Sequence, residues 1–93
     1  MNDIKKEFGQ VYDEHIESIY RFIYIKVNSK DVAEDLTSET FTRAWKAFSK
    51  SKSSGVPIEN MRAFCYRTAR NIVIDYYKSK ATNSVSLDSV QVI

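Results

Sequence analysis

Arg62, Tyr66 and Arg70 recur at four-residue intervals, so on a helix one aromatic ring lies between two guanidinium groups along a single stripe. Arg67, Lys78 and Lys80 add positive charge to the same segment, and between residues 60 and 80 Asp75 is the lone acid. Unpaired nucleic acid calls for this combination. Cations track phosphates, while rings or guanidinium planes stack bases at about 1–3 kcal/mol each. The same residues also suit an exposed helix face that its charges solvate while the tyrosines complete a core. Composition alone leaves both readings open.

Other chemistry finds less support. His15 is the sole histidine and sits among Asp13, Glu14 and Glu17, but a metal site in a helical bundle needs Glu-x-x-His pairs, and position 12 is Tyr. No metal or cofactor is expected. Cys65 is the single cysteine, which excludes an internal disulfide and a zinc frame, and it falls on an apolar stripe where free cysteine behaves as a small hydrophobe. Glu34 and Asp35 suit the start of a helix better than hydrolysis, because no glycine-rich loop accompanies them to form a pocket. No catalytic residue emerges, and the chain is not expected to be an enzyme.

These residues must be positioned by a chain of 93 residues, which allows one compact unit with one modest core. Hydrophobic residues at 43%, charged residues at 28%, two glycines and one proline describe an ordinary helix-rich globular chain rather than a disordered one. The net charge of +2 says little about partners, because the positive excess is local to residues 60–80. The amino-terminal residues lead into no apolar stretch of the kind a secretory signal needs, and the longest apolar run is Phe22-Ile23-Tyr24-Ile25. A cytoplasmic location, in a reducing compartment and away from membrane, is the expectation.

The apolar residues Phe8, Val11, Tyr12, Ile16, Ile19, Phe22, Ile23 and Val27 recur at helical steps and predict a helix over about 4–27. Ser29 is placed to cap a second helix over about 30–48, with acidic residues in its first turn and Val32, Leu36, Phe41, Ala44, Trp45 and Phe48 on its apolar face. Residues 49–57, rich in Ser with Gly and Pro, read as a loop. Asn60 can cap a third helix over about 60–80, with Met61, Phe64, Cys65, Thr68, Ile72 and Tyr76 on one side. Residues 81–93 lack a clear face and read as a loose tail or linker. The expected fold is all-α, a three-helix bundle.

Two stretches resemble a known family. Asp31 to Phe48, reading DVAEDLTSETFTRAWKAF, resembles the core-binding helix of the extracytoplasmic-function (ECF) sigma factors, often written A-E-D-L-x-Q-E-x-F-x-x-A-W, with Ser38 in the place of its glutamine. Arg62 to Tyr77, reading RAFCYRTARNIVIDYY, is similar to the family's promoter-binding helix, A-W-L-Y-x-I-A-x-N-x-x-x-D, with Phe64-Cys65 where the family has Trp-Leu. The resemblance spans about residues 8–80, the unit the family calls region 2, and implies a three-helix fold of that type. Ser86-Leu87-Asp88 resembles the start of the linker to the family's second promoter-reading domain (region 4), so the chain is expected to be a piece of a longer protein.

The resemblance implies two partners. A coiled coil of the largest subunit of the RNA polymerase core would meet the polar face of the second helix, at Asp35, Ser38, Glu39, Thr42, Arg43 and Lys46, which share one side by their spacing. Unpaired DNA of the minus-ten promoter element would meet the loop before the third helix, the helix start and the helix itself, at Lys50, Lys52, Asn60, Arg62, Tyr66, Arg67, Arg70, Asn71 and Lys78. Asn71 stands where the motif has asparagine, and its amide both donates and accepts toward a base edge. The mechanism so implied is capture of flipped bases rather than chemistry. An anti-sigma protein is a further partner by resemblance, and a monomer is expected. A helical adaptor whose basic third helix grips an acidic protein, without a DNA role, is the alternative.

Overall fold

The computed structural model describes residues 3–92, with side chains as far as Ala81. Three helices follow one another: α1 (Ile4–Val27), α2 (Lys30–Ser54) and α3 (Met61–Val92), each packed on the other two. The all-α, three-helix architecture expected from the periodicity is present.

Each boundary has a local cause. Asp3 caps α1 by accepting the Lys6 amide at 3.1 Å. Asn28 ends α1 in the left-handed region at φ 54°, its amide donating to the Tyr24 carbonyl at 2.7 Å. Ser29 then starts α2 at once, its hydroxyl accepting from the Val32 amide at 3.3 Å, so two residues turn the chain back on itself. Asn60 opens α3 by accepting the Ala63 amide at 2.9 Å through its side-chain oxygen.

The first departure from expectation concerns the end of α2, which runs past Phe48 to Ser54 instead of yielding to a loop at residue 49. Lys50 and Lys52 therefore sit on its last turns. Ser-Lys-Ser-Lys-Ser-Ser shows no apolar period because this stretch overhangs the core, but nothing in it breaks a helix. The break comes at Gly55, which adopts φ 79° and donates its amide to the Ser51 carbonyl at 3.0 Å. The connection shrinks to residues 55–60, and Ser51 secures it by donating its hydroxyl to the Val56 carbonyl at 2.6 Å. The second departure is that α3 continues beyond Lys80 to Val92. The reading of residues 81–93 as a tail or linker rests on side chains outside the described ones, Ala81 apart.

The core collects Phe8, Ile19 and Ile23 from α1, Leu36, Phe41, Ala44 and Phe48 from α2, and Cys65, Ala69, Ile72 and Val73 from α3. Alanines at 44 and 69 are fully enclosed, where a small side chain lets the helices approach closely. Edge-to-face rings knit α1 to α2, with Phe8 and Trp45 at 5.4 Å and Tyr12 and Phe41 at 5.0 Å between centroids.

Cys65 is enclosed as the sequence suggested, and burial alone pushes its thiol up to about 11. Unfolding releases that thiol to its ordinary lower value. Above that value the unfolded chain loses a proton that the folded chain keeps, so stability falls as pH rises toward 11. Subtracting the melting-temperature profile of Cys65→Ala, which cancels contributions the two chains share, should leave a decline confined to this alkaline window. A flat difference profile would contradict it.

Candidate nucleic-acid interface and the polar face of α2

The helical period of α3 divides its residues sharply. Cys65, Ala69, Ile72 and Val73 turn inward, which leaves Arg67, Arg70, Asn71 and Lys78 exposed together on the outside, while Arg62 is exposed in the first turn on a different side of the helix. No ion pair occupies Arg62, Arg67, Arg70 or Lys78 among the described residues, and Asp75 is the one acid between residues 61 and 81. Their charge is free to meet an anion.

Tyr66 sits differently from its place in the sequence pattern. The Arg62 guanidinium lies over its ring at 5.1 Å, as the four-residue spacing suggests, but the ring is half-buried and packs edge-on against Phe22 of α1 at 5.3 Å. The ring is therefore engaged by Phe22 and by Arg62, and the exposed planar group at this end of α3 is the guanidinium. Asn60 divides its amide likewise. Its oxygen caps α3, and its NH2 group is left to face outward.

The two lysines of the expected loop differ as well. Lys52 reaches back to Glu7 of α1 at 2.9 Å and lies over the Phe48 ring at 5.3 Å, whereas Lys50 has no such partner. With Phe48, Ser51, Gly55, Pro57 and Ile58, Lys52 lines a pocket of about 270 Å³ where α2 meets the connection to α3.

Sequence reasoning missed Ile74 and Tyr77, large apolar side chains that remain 37% and 43% exposed within the basic stripe. Ile74 lies three residues after Asn71 and four before Lys78, so spacing could have placed it there. The assumption that apolar residues of an amphipathic helix face the core concealed it. Tyr77 also donates its hydroxyl to the Lys26 carbonyl, which ties the middle of α3 to the end of α1.

On α2, Asp35, Ser38, Glu39, Thr42, Arg43 and Lys46 are all exposed, as one polar face requires. The face is partly self-paired: Arg43 bonds Glu39 one turn away, and Thr42 donates to the Ser38 carbonyl at 2.9 Å. Asp35 and Lys46 have no side-chain partner among the described residues. The two candidate faces share no residue, although Lys50 and Lys52 of the DNA candidates lie at the far end of α2.

Among the described residues no cluster of acids, histidines and cysteines could hold a metal ion, and no helix is long and apolar enough to cross a membrane. His15 finds only Glu14, at 3.9 Å.

A capped three-helix bundle with a basic outer stripe on α3 and a polar outer face on α2 matches one family along most of its length. Residues 11–82 match Sigma-70 region 2, and the chain belongs to that family. It is 42% identical over 72 residues to the ECF RNA polymerase sigma factor BldN of Streptomyces coelicolor, covering 77% of this chain and 26% of that protein. Over 82 residues it is 32% identical to the ECF RNA polymerase sigma factor SigM of Bacillus subtilis, covering 87% and 47%. The ECF RNA polymerase sigma factor SigL of Mycobacterium tuberculosis is 31% identical over 75 residues, covering 81% and 41%. The chain thus spans between about a quarter and a half of the length of these relatives. No solved structure matches at a significant level.

Proposed function

We propose that this chain is the polymerase-docking and promoter-opening domain of a bacterial transcription initiation factor of the ECF type, and that it has no enzymatic activity. The polar face of α2 meets a coiled coil of the polymerase largest subunit, while α3 and the connection before it hold unpaired bases of the minus-ten element. One observation carries the reading: Arg67, Arg70 and Asn71 emerge together from α3 into solvent, and among the described residues no intramolecular partner claims either guanidinium. A flipped base costs a few kcal/mol in lost stacking and pairing, so several weak contacts must act at once. The polymerase supplies that simultaneity by holding the domain over transiently open DNA, and the isolated domain binds weakly. The domain acts as a monomer in the cytoplasm, and an anti-sigma protein that covers these faces would inhibit it.

Purified chain titrated with single-stranded and duplex minus-ten oligonucleotides, and separately with the polymerase coiled-coil fragment, tests both faces. Asn71→Ala should weaken single-stranded DNA roughly tenfold, the worth of one good base contact, and leave the coiled coil untouched. Glu39→Lys should do the reverse, roughly tenfold or more. Equal affinity for single-stranded and duplex DNA would favour a helical adaptor that grips acidic partners without reading bases, and would end the promoter-opening reading.

A further inference from the structure

We propose that Ile74 reads the 5-methyl group of a thymine at or beside the base that Asn71 holds, so that the domain selects thymine over uracil and cytosine at that position. The inference rests on the promoter-opening reading and deepens it by naming one base of the captured strand. Ile74 is 37% exposed in the middle of α3. Its neighbours along the helix surface, three and four residues away, are Arg70 and Asn71 before it and Tyr77 and Lys78 after it, and all four are exposed.

The apolar surface is preformed. Single exposed apolar residues are common, but here Ile74 is followed one turn later by Tyr77, which is 43% exposed, so two large apolar side chains adjoin within a run of cations. Tyr77 does not fold over its neighbour. Its hydroxyl donates to the Lys26 carbonyl of α1, and its ring packs edge-on against Tyr76 at 5.2 Å between centroids, which holds it at the seam between α1 and α3. Ile74 itself is branched at Cβ and stiff on a helix, so its methyl groups stand at one place and little freedom is lost when a ligand covers them.

Chemistry selects the methyl. Arg67, Arg70 and Lys78 surround Ile74 without an ion pair among the described residues, so the ligand is an anion that also carries an apolar group. On a nucleic-acid strand the apolar candidates are base faces, sugar carbons and the thymine methyl. Base faces stack on planar groups, and a branched aliphatic side chain offers no plane. The methyl is the apolar feature of a base edge, and it is the group that aliphatic side chains meet when thymine is distinguished from the other bases. Contact with sugar carbons would be indifferent to base and is the competing outcome.

Spacing fits one strand. Three residues of helix advance by about 4.5 Å, and successive nucleotides by about 3.4 Å, so Asn71 and Ile74 meet the same base or adjacent ones. The amide then supplies hydrogen bonds to a base edge, and the isoleucine supplies shape beside it.

Single-stranded minus-ten oligonucleotides are titrated by fluorescence anisotropy with each thymine in turn replaced by deoxyuridine, which keeps every hydrogen-bonding group and removes the methyl. Expected is a loss of about fourfold at one position, the effect of returning a single methyl to water. With Ile74→Ala the ratio of thymine to deoxyuridine affinity at that position should fall to about one, and with Ile74→Val, which keeps the branch, it should stay above about two. Each ratio compares two DNAs on one protein, so a variant that folds poorly does not imitate the result. The inference is overturned if deoxyuridine binds like thymine at every position, or if the discrimination survives in Ile74→Ala. A chain that prefers single-stranded to duplex DNA without sensing the methyl leaves the promoter reading standing, whereas a chain without that preference ends both.

Discussion

Arg67→Ala combined with Arg70→Ala should lower affinity for single-stranded minus-ten DNA roughly a hundredfold, because each guanidinium contributes a charged hydrogen bond of about 1.5 kcal/mol or more. The slope of log affinity against log salt should flatten by about 1.4, two phosphates at about 0.7 each. Both side chains are exposed and neither is in an ion pair among the described residues, so the double variant should keep its melting temperature. Lys52→Ala supplies the contrast. That ammonium already holds Glu7 at 2.9 Å, so its loss removes little free positive charge and should cost far less affinity. Titration by fluorescence anisotropy at several salt concentrations measures the affinities and the slope, and thermal denaturation measures the melting temperature. An unchanged salt slope in the double variant would show that the stripe does not touch phosphates.

The helices were legible in the sequence because their signals are local and agree with one another. Ser29 and Asn60 are caps by residue type and are caps in the structure, and Cys65 and Ile72 face the core as their spacing required. The end of α2 was misplaced because loss of apolar period was taken for loss of helix. A helix that outruns its core shows the same polar pattern as a loop, and the decisive residue is the one forced to positive φ, here Gly55.

The candidate sites were legible in part. Exposure of the basic residues on α3 follows from helical period once the inward side is known. What the sequence could not reveal is which side chains the fold already employs. Tyr66 packs on Phe22, forty-four residues away, and Lys52 reaches Glu7, forty-five away. Contacts so distant along the chain leave no local pattern. An apolar furrow between α1 and α2, lined by Tyr12, Ile16, Phe41 and Trp45, escaped notice for the related reason that these residues fit apolar stripes, and only packing decides how much of a stripe is covered.

Ile23→Ala should destabilise the chain by about 2–5 kcal/mol, the loss expected when a fully enclosed branched side chain leaves a cavity. Ile23 has no exposed surface, and it lies on α1, which contributes no residue to either proposed binding face. A domain of this size has a total stability toward the low end of about 5–15 kcal/mol, so the variant should melt at least about 10 °C lower and lose DNA and coiled-coil binding together on warming. Ile25→Ala tests the cause. It removes the same atoms two residues along the same helix, but Ile25 is 74% exposed, and the expected change is within about 0.5 kcal/mol. Joint loss of both activities in Ile23→Ala, set beside selective loss in Asn71→Ala and Glu39→Lys, separates failure of the scaffold from failure of a surface. Equal melting temperatures for the two isoleucine variants would mean that α1 is rotated from the orientation that builds this core.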